Sequence, residues 1–157
     1  MTTRWNEPMR EAIALAHVAA SETGDVPVGA VLVNPNGEVV AVGKNERELT
    51  GDPTAHAEIV AIRAAAELGE NWHLNDLTLV VTLEPCAMCA GAIQAARIGR
   101  VVFGAWDERV GAAGSRYDLL RDSRLGSQIE VIAGVLETEC AELMRQFFEE
   151  RRISGSK

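Results

Sequence analysis

The spacing of apolar side chains along the chain alternates between a helical and an extended period. Apolar residues recur every three to four positions over 7–22, and this spacing predicts an amphipathic helix. Two apolar runs rich in valine, 26–33 and 39–43, follow that helix and predict strands. The segment between them, 34–37, reads NPNG and predicts the turn of an antiparallel hairpin.

The rest of the chain continues this alternation. Short apolar runs predict strands, longer periodic runs predict helices, and a short helix is expected before the last strand. The predicted elements are a helix over 55–68, a strand over 77–83, a helix from Pro85, strands over 101–105 and 128–133, and a closing helix over 136–152. This order predicts a three-layer α/β/α sandwich around a five-stranded mixed sheet, with residues 1–157 forming one domain.

The composition is typical of a globular cytoplasmic protein. Of the 157 residues, 47% are hydrophobic and 24% are charged. The longest apolar runs are too short to cross a bilayer, and the first residues lack the apolar core of a secretion signal. An odd count of three cysteines fits metal-binding thiolates in a reducing compartment better than a disulfide framework.

The charge of the chain is acidic on the whole but unevenly distributed. A net charge of −8 argues at first against a polyanionic partner. The segment 97–124, however, holds six arginines against four acidic residues. Such a run is usually a solvated face, but it also allows a local basic surface. Charge alone therefore does not decide the class of partner.

Two short motifs carry the candidate chemistry, HAE at 56–58 and PCAMC at 85–89. His56, Cys86 and Cys89 supply one imidazole and two thiols, a set that binds zinc and leaves its fourth position open. An open position is typical of catalytic zinc, whereas structural zinc is usually closed by four protein ligands. The motifs therefore predict a catalytic zinc site.

Both motifs are predicted at helix starts that follow strands. The i, i+3 spacing of Cys86 and Cys89 places both sulfurs on one helix face, and a helix N-terminus favours thiolates. Two thiolates neutralise the charge of Zn²⁺, so a bound water is less acidic than on an all-imidazole site. Glu58, two residues after His56, is therefore expected to take the proton of that water and return it to a leaving amine.

Other interpretations of these residues stay open at this point. A Cys-x-x-Cys motif also occurs in thioredoxin-like redox pairs, and a fourth ligand elsewhere would make a structural zinc. A redox pair has no need of His56 and Glu58, and no fourth ligand is obvious near the motifs. We further expect Glu84 to be an anion at a helix start and Cys140 to be a buried apolar residue.

Longer blocks around the motifs resemble one known family. The H-x-E and P-C-x-x-C signature is an already known hallmark of zinc nucleobase deaminases. The matching blocks are VPVGAV at 26–31, DPTAHAE at 52–58, TLEPCAMCAGA at 82–92, RIGRVVFGA at 97–105, GAAGS at 111–115 and the ending around 147–148. Through them the chain resembles, over nearly its whole length, the bacterial tRNA-specific adenosine deaminases of the cytidine deaminase-like superfamily.

The resemblance implies hydrolytic deamination of adenosine to inosine at the wobble position of a tRNA anticodon. It implies a homodimer with one Zn²⁺ per subunit, held by His56, Cys86 and Cys89, and Glu58 as the proton shuttle. The implied substrate-binding residues are Asn45 at the purine, Val28 and Leu83 in the base pocket, Asp107 at a ribose 2′-hydroxyl, and Phe148 and Arg152, with Phe147 and Arg151, at flanking nucleotides. At least one of the two phenylalanines is expected in the core of the last helix.

The chain departs from the family pattern in two regions expected to meet RNA. Trp106 replaces an arginine or other polar residue before Asp107, and 125–128 reads LGSQ where the family often has an Asn-His pair. An indole at 106 either stacks on a base or occupies a surface. The alternative functions are deamination of a free base or nucleoside, of guanine or cytosine type, and a zinc-stabilised binding module without turnover.

Overall fold

The computed structural model describes residues 3–126 and 129–155, which alternate between strands and helices as predicted. The helices are α1 (Asn6–Thr23), α2 (Arg47–Thr50), α3 (Ala57–Gly69), α4 (Ala87–Ala95) and α5 (Glu137–Ser154), with 3₁₀ turns at Thr3–Trp5 and Ser123–Leu125. The strands are β1 (Gly29–Val33), β2 (Val39–Lys44), β3 (Thr78–Leu83), β4 (Arg100–Ala105) and β5 (Glu130–Ala133).

The five strands form one mixed sheet in the order β2-β1-β3-β4-β5. β1 pairs antiparallel with β2 and with β3, while β4 pairs parallel with β3 and with β5. The predicted hairpin is confirmed, and its turn places Gly37 in the left-handed region with φ 86°. Because β2 and β3 are both antiparallel to β1, they run in the same direction and end at the same edge of the sheet.

Helices cover both faces of the sheet, which confirms the predicted three layers. Alternate strand residues point to opposite faces. One face packs against α3 and α4 through Leu32, Leu79, Val81 and Phe103. The other packs against α1 and α5 through Val31, Val33, Val80 and Val102. Within the described part of the chain, no helix has both the length and the apolar character that a bilayer span requires.

Two elements begin later than predicted, each for a local reason. The strand predicted from Val26 begins at Gly29, because the chain bends at Pro27 and the Val28 N–H donates to the Val26 carbonyl at 2.9 Å. The helix predicted from Pro85 begins two residues later, since Cys86 is extended with ψ 177°. α2 was not predicted, and Gln128, the predicted start of the last strand, lies outside the described residues.

A glycine on β2 lets α3 approach the sheet closely. A Cβ at Gly43 would lie 2.3 Å from the Ala57 carbonyl oxygen and 2.6 Å from the Ala61 nitrogen. We therefore expect Gly43→Ala to lower the free energy of unfolding by about 1–3 kcal/mol through overpacking, measured by denaturant titration. Gly91→Ala is the control: its Cβ meets nothing within 4 Å in α4, so we expect a gain of about 0.5–1 kcal/mol. A Gly43→Ala variant as stable as the wild type would contradict the close approach.

Candidate zinc centre and active site

The two motifs meet at the sheet edge where β2 and β3 end. His56 is the residue before α3 and Cys86 the residue before α4, both with extended backbone, and Cys89 lies in the first turn of α4. The sequence placed all three residues within first helical turns, and the structure moves His56 and Cys86 just outside. Because both helices begin at this edge, the three side chains converge, and their ligand atoms lie within 4.8 Å of one another.

The spacing of the three groups fits a tetrahedral zinc ion. The His56 Nδ1 lies 3.6 Å from the Cys86 Sγ and 3.5 Å from the Cys89 Sγ. Zinc bonds of about 2.3 Å to sulfur and about 2.05 Å to nitrogen put N and S about 3.5 Å apart in a tetrahedron. In the described part of the chain, no fourth His, Cys, Asp or Glu joins this cluster. The residues present thus fit one Zn²⁺ with a position left for water.

Glu58 lies beside the ligands and is almost fully buried, at 4% exposure. Burial raises the pKa of its carboxyl. The neighbouring Cys89 thiol and His56 lower the pKa of Cys86, which favours the thiolate form of this sulfur. The hydrogen bond that Cys89 gives to Cys86 raises the pKa of Cys89, and a hydrogen bond to Cys86 raises that of His56. The site therefore combines a ready metal ligand with a carboxyl suited to carrying a proton.

A small pocket opens over these groups. Its volume is about 180 Å³, well below the range of about 300–1,000 Å³ that is typical of drug-sized ligands. The pocket therefore has room for a single base. Its lining includes the predicted ligands His56 and Cys86, Glu58, and the predicted substrate residues Val28, Asn45, Leu83, Asp107 and Phe148.

A larger groove of about 500 Å³ continues from the pocket along α5. Phe148 borders both cavities and is 38% exposed, whereas only 9% of Phe147 is exposed. This confirms that one of the two phenylalanines belongs to the core. Arg47 also borders both cavities, whereas Arg152 lines the groove but not the pocket. The groove thus joins an exposed aromatic ring to several cationic side chains.

Comparison with known proteins places this site in a family. Residues 3–105 match the model of the cytidine and deoxycytidylate deaminase zinc-binding region. The tRNA-specific adenosine deaminase of Haemophilus influenzae is 47% identical over 92% of this chain and 83% of its own length. That of Bacillus subtilis is 47% identical over 92% of this chain and 88% of its own. The chain belongs to the tRNA-specific adenosine deaminase family.

A solved structure supports the same assignment. It comes from work on A-to-I editing by tRNA:A34 deaminases at the wobble position of transfer RNA. Its TM-score is 0.82 with 41% identity, over 87% of this chain and 98% of that one. The cytidine deaminase-like fold predicted from the sequence is therefore confirmed, and the redox-pair interpretation is set aside.

Two arginines at the mouth of the pocket were missed by the sequence analysis of this deaminase. Arg47 opens α2, and Arg109 places its guanidinium 5.8 Å from the ring centre of Phe148. Both are exposed and both border the pocket. Arg47 could have been predicted near the pocket, because it follows the predicted substrate residue Asn45 by only two positions.

Two buried carboxylates hold the loops that border the pocket, and the sequence revealed neither. Asp25 is 1% exposed and accepts the N–H groups of Glu48 and Leu49, at 2.7 and 3.3 Å, which fixes α2. Glu84 was expected to be an anion at a helix start, and this is wrong. Its carboxylate instead accepts hydrogen bonds from the segment 107–115, across the pocket from α2.

The two departures from the family pattern lie in different surroundings. Trp106 is 44% exposed, and its ring packs edge-on against Phe103 with the ring centres 4.9 Å apart. It also covers Gly114, whose added Cβ would lie 3.1 Å from the indole. Trp106 therefore belongs to a packed surface and does not line the pocket. Leu125 is exposed, while Ser127 and Gln128 lie outside the described residues.

Proposed function

We propose that this chain deaminates adenosine to inosine at the wobble position of a tRNA anticodon. The observation that supports this proposal is the combination of a pocket and a groove. The pocket is the size of a single base and holds the candidate zinc ligands and a buried carboxyl. It opens into a groove lined by arginines and an exposed phenylalanine. A free base needs only the pocket. A base extruded from an RNA loop also brings its neighbours, which the groove accommodates.

Glu58 carries the proton in the proposed reaction. When bound, zinc makes a coordinated water nucleophilic at neutral pH. The Glu58 carboxylate accepts a proton from the attacking water and delivers it to the departing amino group, which leaves as ammonia. Because burial raises the pKa of Glu58, the protonated form of this carboxyl is accessible during the cycle.

We assign recognition of the nucleoside to Asn45 and Asp107. The Asn45 Nδ2 donates to the Val26 carbonyl at 3.2 Å and its Oδ1 accepts the Arg47 N–H at 3.3 Å. These contacts fix an amide that retains a second N–H and a second lone pair for the edge of adenine. The Asp107 Oδ1 accepts the Arg109 N–H at 3.1 Å, and we assign its Oδ2 to a ribose 2′-hydroxyl.

The groove supplies the contacts to flanking nucleotides. We assign stacking on an unpaired base to Phe148, a contact that tolerates any base because each has a π-face. We assign contacts to phosphates to Arg152 and Arg47. These side chains concentrate positive charge beside the pocket, so the net charge of −8 does not oppose RNA binding at this place.

The deciding experiment offers the zinc-loaded protein an anticodon stem-loop with a wobble adenosine. Adenosine, guanine and cytosine are offered in parallel, and the products are identified by mass. Inosine in the RNA with the free compounds unchanged is the expected result. Turnover of a free compound with unchanged RNA would move the enzyme to the small-molecule deaminases, and no turnover of any substrate would favour the binding module.

The contribution of the groove can be measured separately. We expect Arg152→Ala to weaken binding of the stem-loop uniformly across loop sequences, because a phosphate contact carries no base information. The slope of log affinity against log salt should become shallower by about 0.7, the value for one single-strand phosphate contact. Fluorescence anisotropy at several salt concentrations measures both. Arg10→Ala on α1, where Arg10 pairs with Glu7 outside the groove, is the matched control and should change neither.

We also propose that the enzyme is a homodimer with one zinc per subunit. Large apolar side chains are exposed on the segments that flank the site, including Met88 at 38%, Val110 at 51% and Tyr117 at 55%. Exposed apolar side chains around a functional site are a frequent mark of a protein interface. Light scattering coupled to size exclusion tests this assembly, and a mass of one subunit at micromolar concentration would contradict it.

A further inference from the structure

Glu84 is a buried carboxylate that the deamination chemistry does not use. It lies between β3 and α4 and is 2% exposed. Its Oε1 accepts the Asp107 N–H at 2.9 Å and the Ser115 hydroxyl. Its Oε2 accepts the N–H groups of Ala113 and Ser115, each at 3.0 Å. Four donors from one segment, 107–115, therefore converge on the two oxygens of this side chain.

The segment 107–115 is a wall of the zinc pocket. It is attached to the strand end that carries the zinc ligands, because the Ala112 N–H donates to the Pro85 carbonyl at 2.7 Å and Gly111 forms a β-bridge with Cys86. Three of its residues, Asp107, Arg109 and Val110, line the pocket. Glu84 also borders the pocket, but both of its carboxylate oxygens are turned to donors of this segment. The position of this wall is therefore set by residues 84–86, which include the candidate zinc ligand Cys86.

The contact between Glu84 and the segment leaves no spare room. A Cβ added at Gly111 would lie 2.3 Å from the Glu84 carboxyl carbon and 2.4 Å from the Asp107 carbonyl oxygen. Hydrogen bonds to a charged acceptor are shorter and stronger than those between neutral groups. A carboxylate with four donors therefore holds the backbone of 107–115 in one conformation.

We propose that Glu84 is a positioning residue for the RNA substrate. It fixes the wall so that Asp107 and Arg109 face the bound nucleotide, while the reacting atoms are handled by other residues. This inference rests on the proposed function and deepens it. It makes the Glu84 carboxylate the group that keeps Asp107 and Arg109 in position to contact the RNA. A purely structural carboxylate would change stability without changing the apparent affinity for substrate.

The test replaces Glu84 by glutamine, which keeps its shape. One carboxylate oxygen becomes an NH₂ group and faces the backbone N–H groups of 107 or of 113 and 115, so donor meets donor. We expect the KM for the anticodon stem-loop to rise about tenfold or more, equivalent to one charge-assisted contact. The kcat should stay within about threefold, with zinc still at one per chain. Amide exchange should become faster within 107–115.

Two further variants keep the test decisive if Glu84→Gln folds poorly. Ser115→Ala removes the hydroxyl donor and leaves the carboxylate, so we expect a smaller rise in KM in the same direction, with kcat unchanged. Val101→Ala lies in the core at the opposite end of β4. It should lower the Tm without raising KM, which separates positioning from a general loss of stability.

Each contrary outcome has a distinct meaning. An unchanged KM in Glu84→Gln, or a rise that Val101→Ala matches at equal Tm, would overturn the positioning role. Loss of zinc with a fall in kcat would instead make Glu84 a support of the metal ligands, which also overturns it. If the wild-type protein leaves the stem-loop unchanged, the proposed function fails. The exchange rates of 107–115 would then still report whether Glu84 holds this wall.

Discussion

Replacing Glu58 by glutamine is expected to lower kcat for deamination by about a hundredfold to ten-thousandfold, the usual contribution of a positioned general acid–base. Glutamine has nearly the shape of glutamate, but its amide cannot accept the proton of the attacking water or deliver one to the leaving amino group. Because Glu58 is buried, at 4% exposure, a bulk buffer base does not readily replace it. Single-turnover kinetics on the stem-loop measure the loss.

The zinc content should not change in this variant. His56, Cys86 and Cys89 account for the cluster of ligand atoms, and Glu58 is not part of it. Glu67→Gln is the matched control, an exposed glutamate on the same helix, and should keep full activity and stability. Release of zinc from Glu58→Gln would place the carboxylate among the metal ligands. Retained kcat would assign the proton transfer to another group.

The fold was predictable where local pattern and global structure agree. The valine-rich runs before and after 34–37 fall on β1 and β2, and the apolar run at 77–83 falls on β3, since these side chains fit both a strand and a buried face. The zinc cluster was predictable because its chemistry is local. Cys86 and Cys89 are three residues apart on one helix. His56 follows β2, which runs in the same direction as β3, the strand that precedes Cys86.

The loops around the pocket were not predictable in the same way. Asp25 binds α2 across 23 residues of sequence, and Glu84 binds Ala113 across 29 residues. The sequence around an acidic residue does not show whether its carboxylate caps a nearby helix or accepts hydrogen bonds from a backbone segment far along the chain. Only the fold decides which N–H groups lie within its reach. The start of α4 was misplaced for a similar reason, since Cys86 stays extended to turn its sulfur toward His56.

The second large effect is expected from Cys86→Ala. Three protein ligands leave one coordination position for water, and removal of a thiolate leaves only two, which is too few to retain the ion against competing chelators. The zinc content should fall from one per chain to near zero, and deamination should fall to background. Elemental analysis of the purified protein and the stem-loop assay measure the two losses together.

The control for Cys86→Ala is a second cysteine in the same chain. Cys140 is 1% exposed on α5, where burial raises its pKa to about 12, so it is the buried apolar residue that the sequence predicted. Cys140→Ala should therefore keep one zinc and full turnover at a somewhat lower Tm.

Chelation provides an independent check on the same assignment. A ligand that binds only the folded state stabilises it in proportion to the logarithm of its concentration over Kd. A chelator should therefore lower the Tm of the wild type and of Cys140→Ala, and leave the Tm of Cys86→Ala unchanged. If Cys86→Ala retained zinc and responded to the chelator as the wild type does, the metal would have to lie elsewhere, and the proton-carrying role of Glu58 would lose its basis.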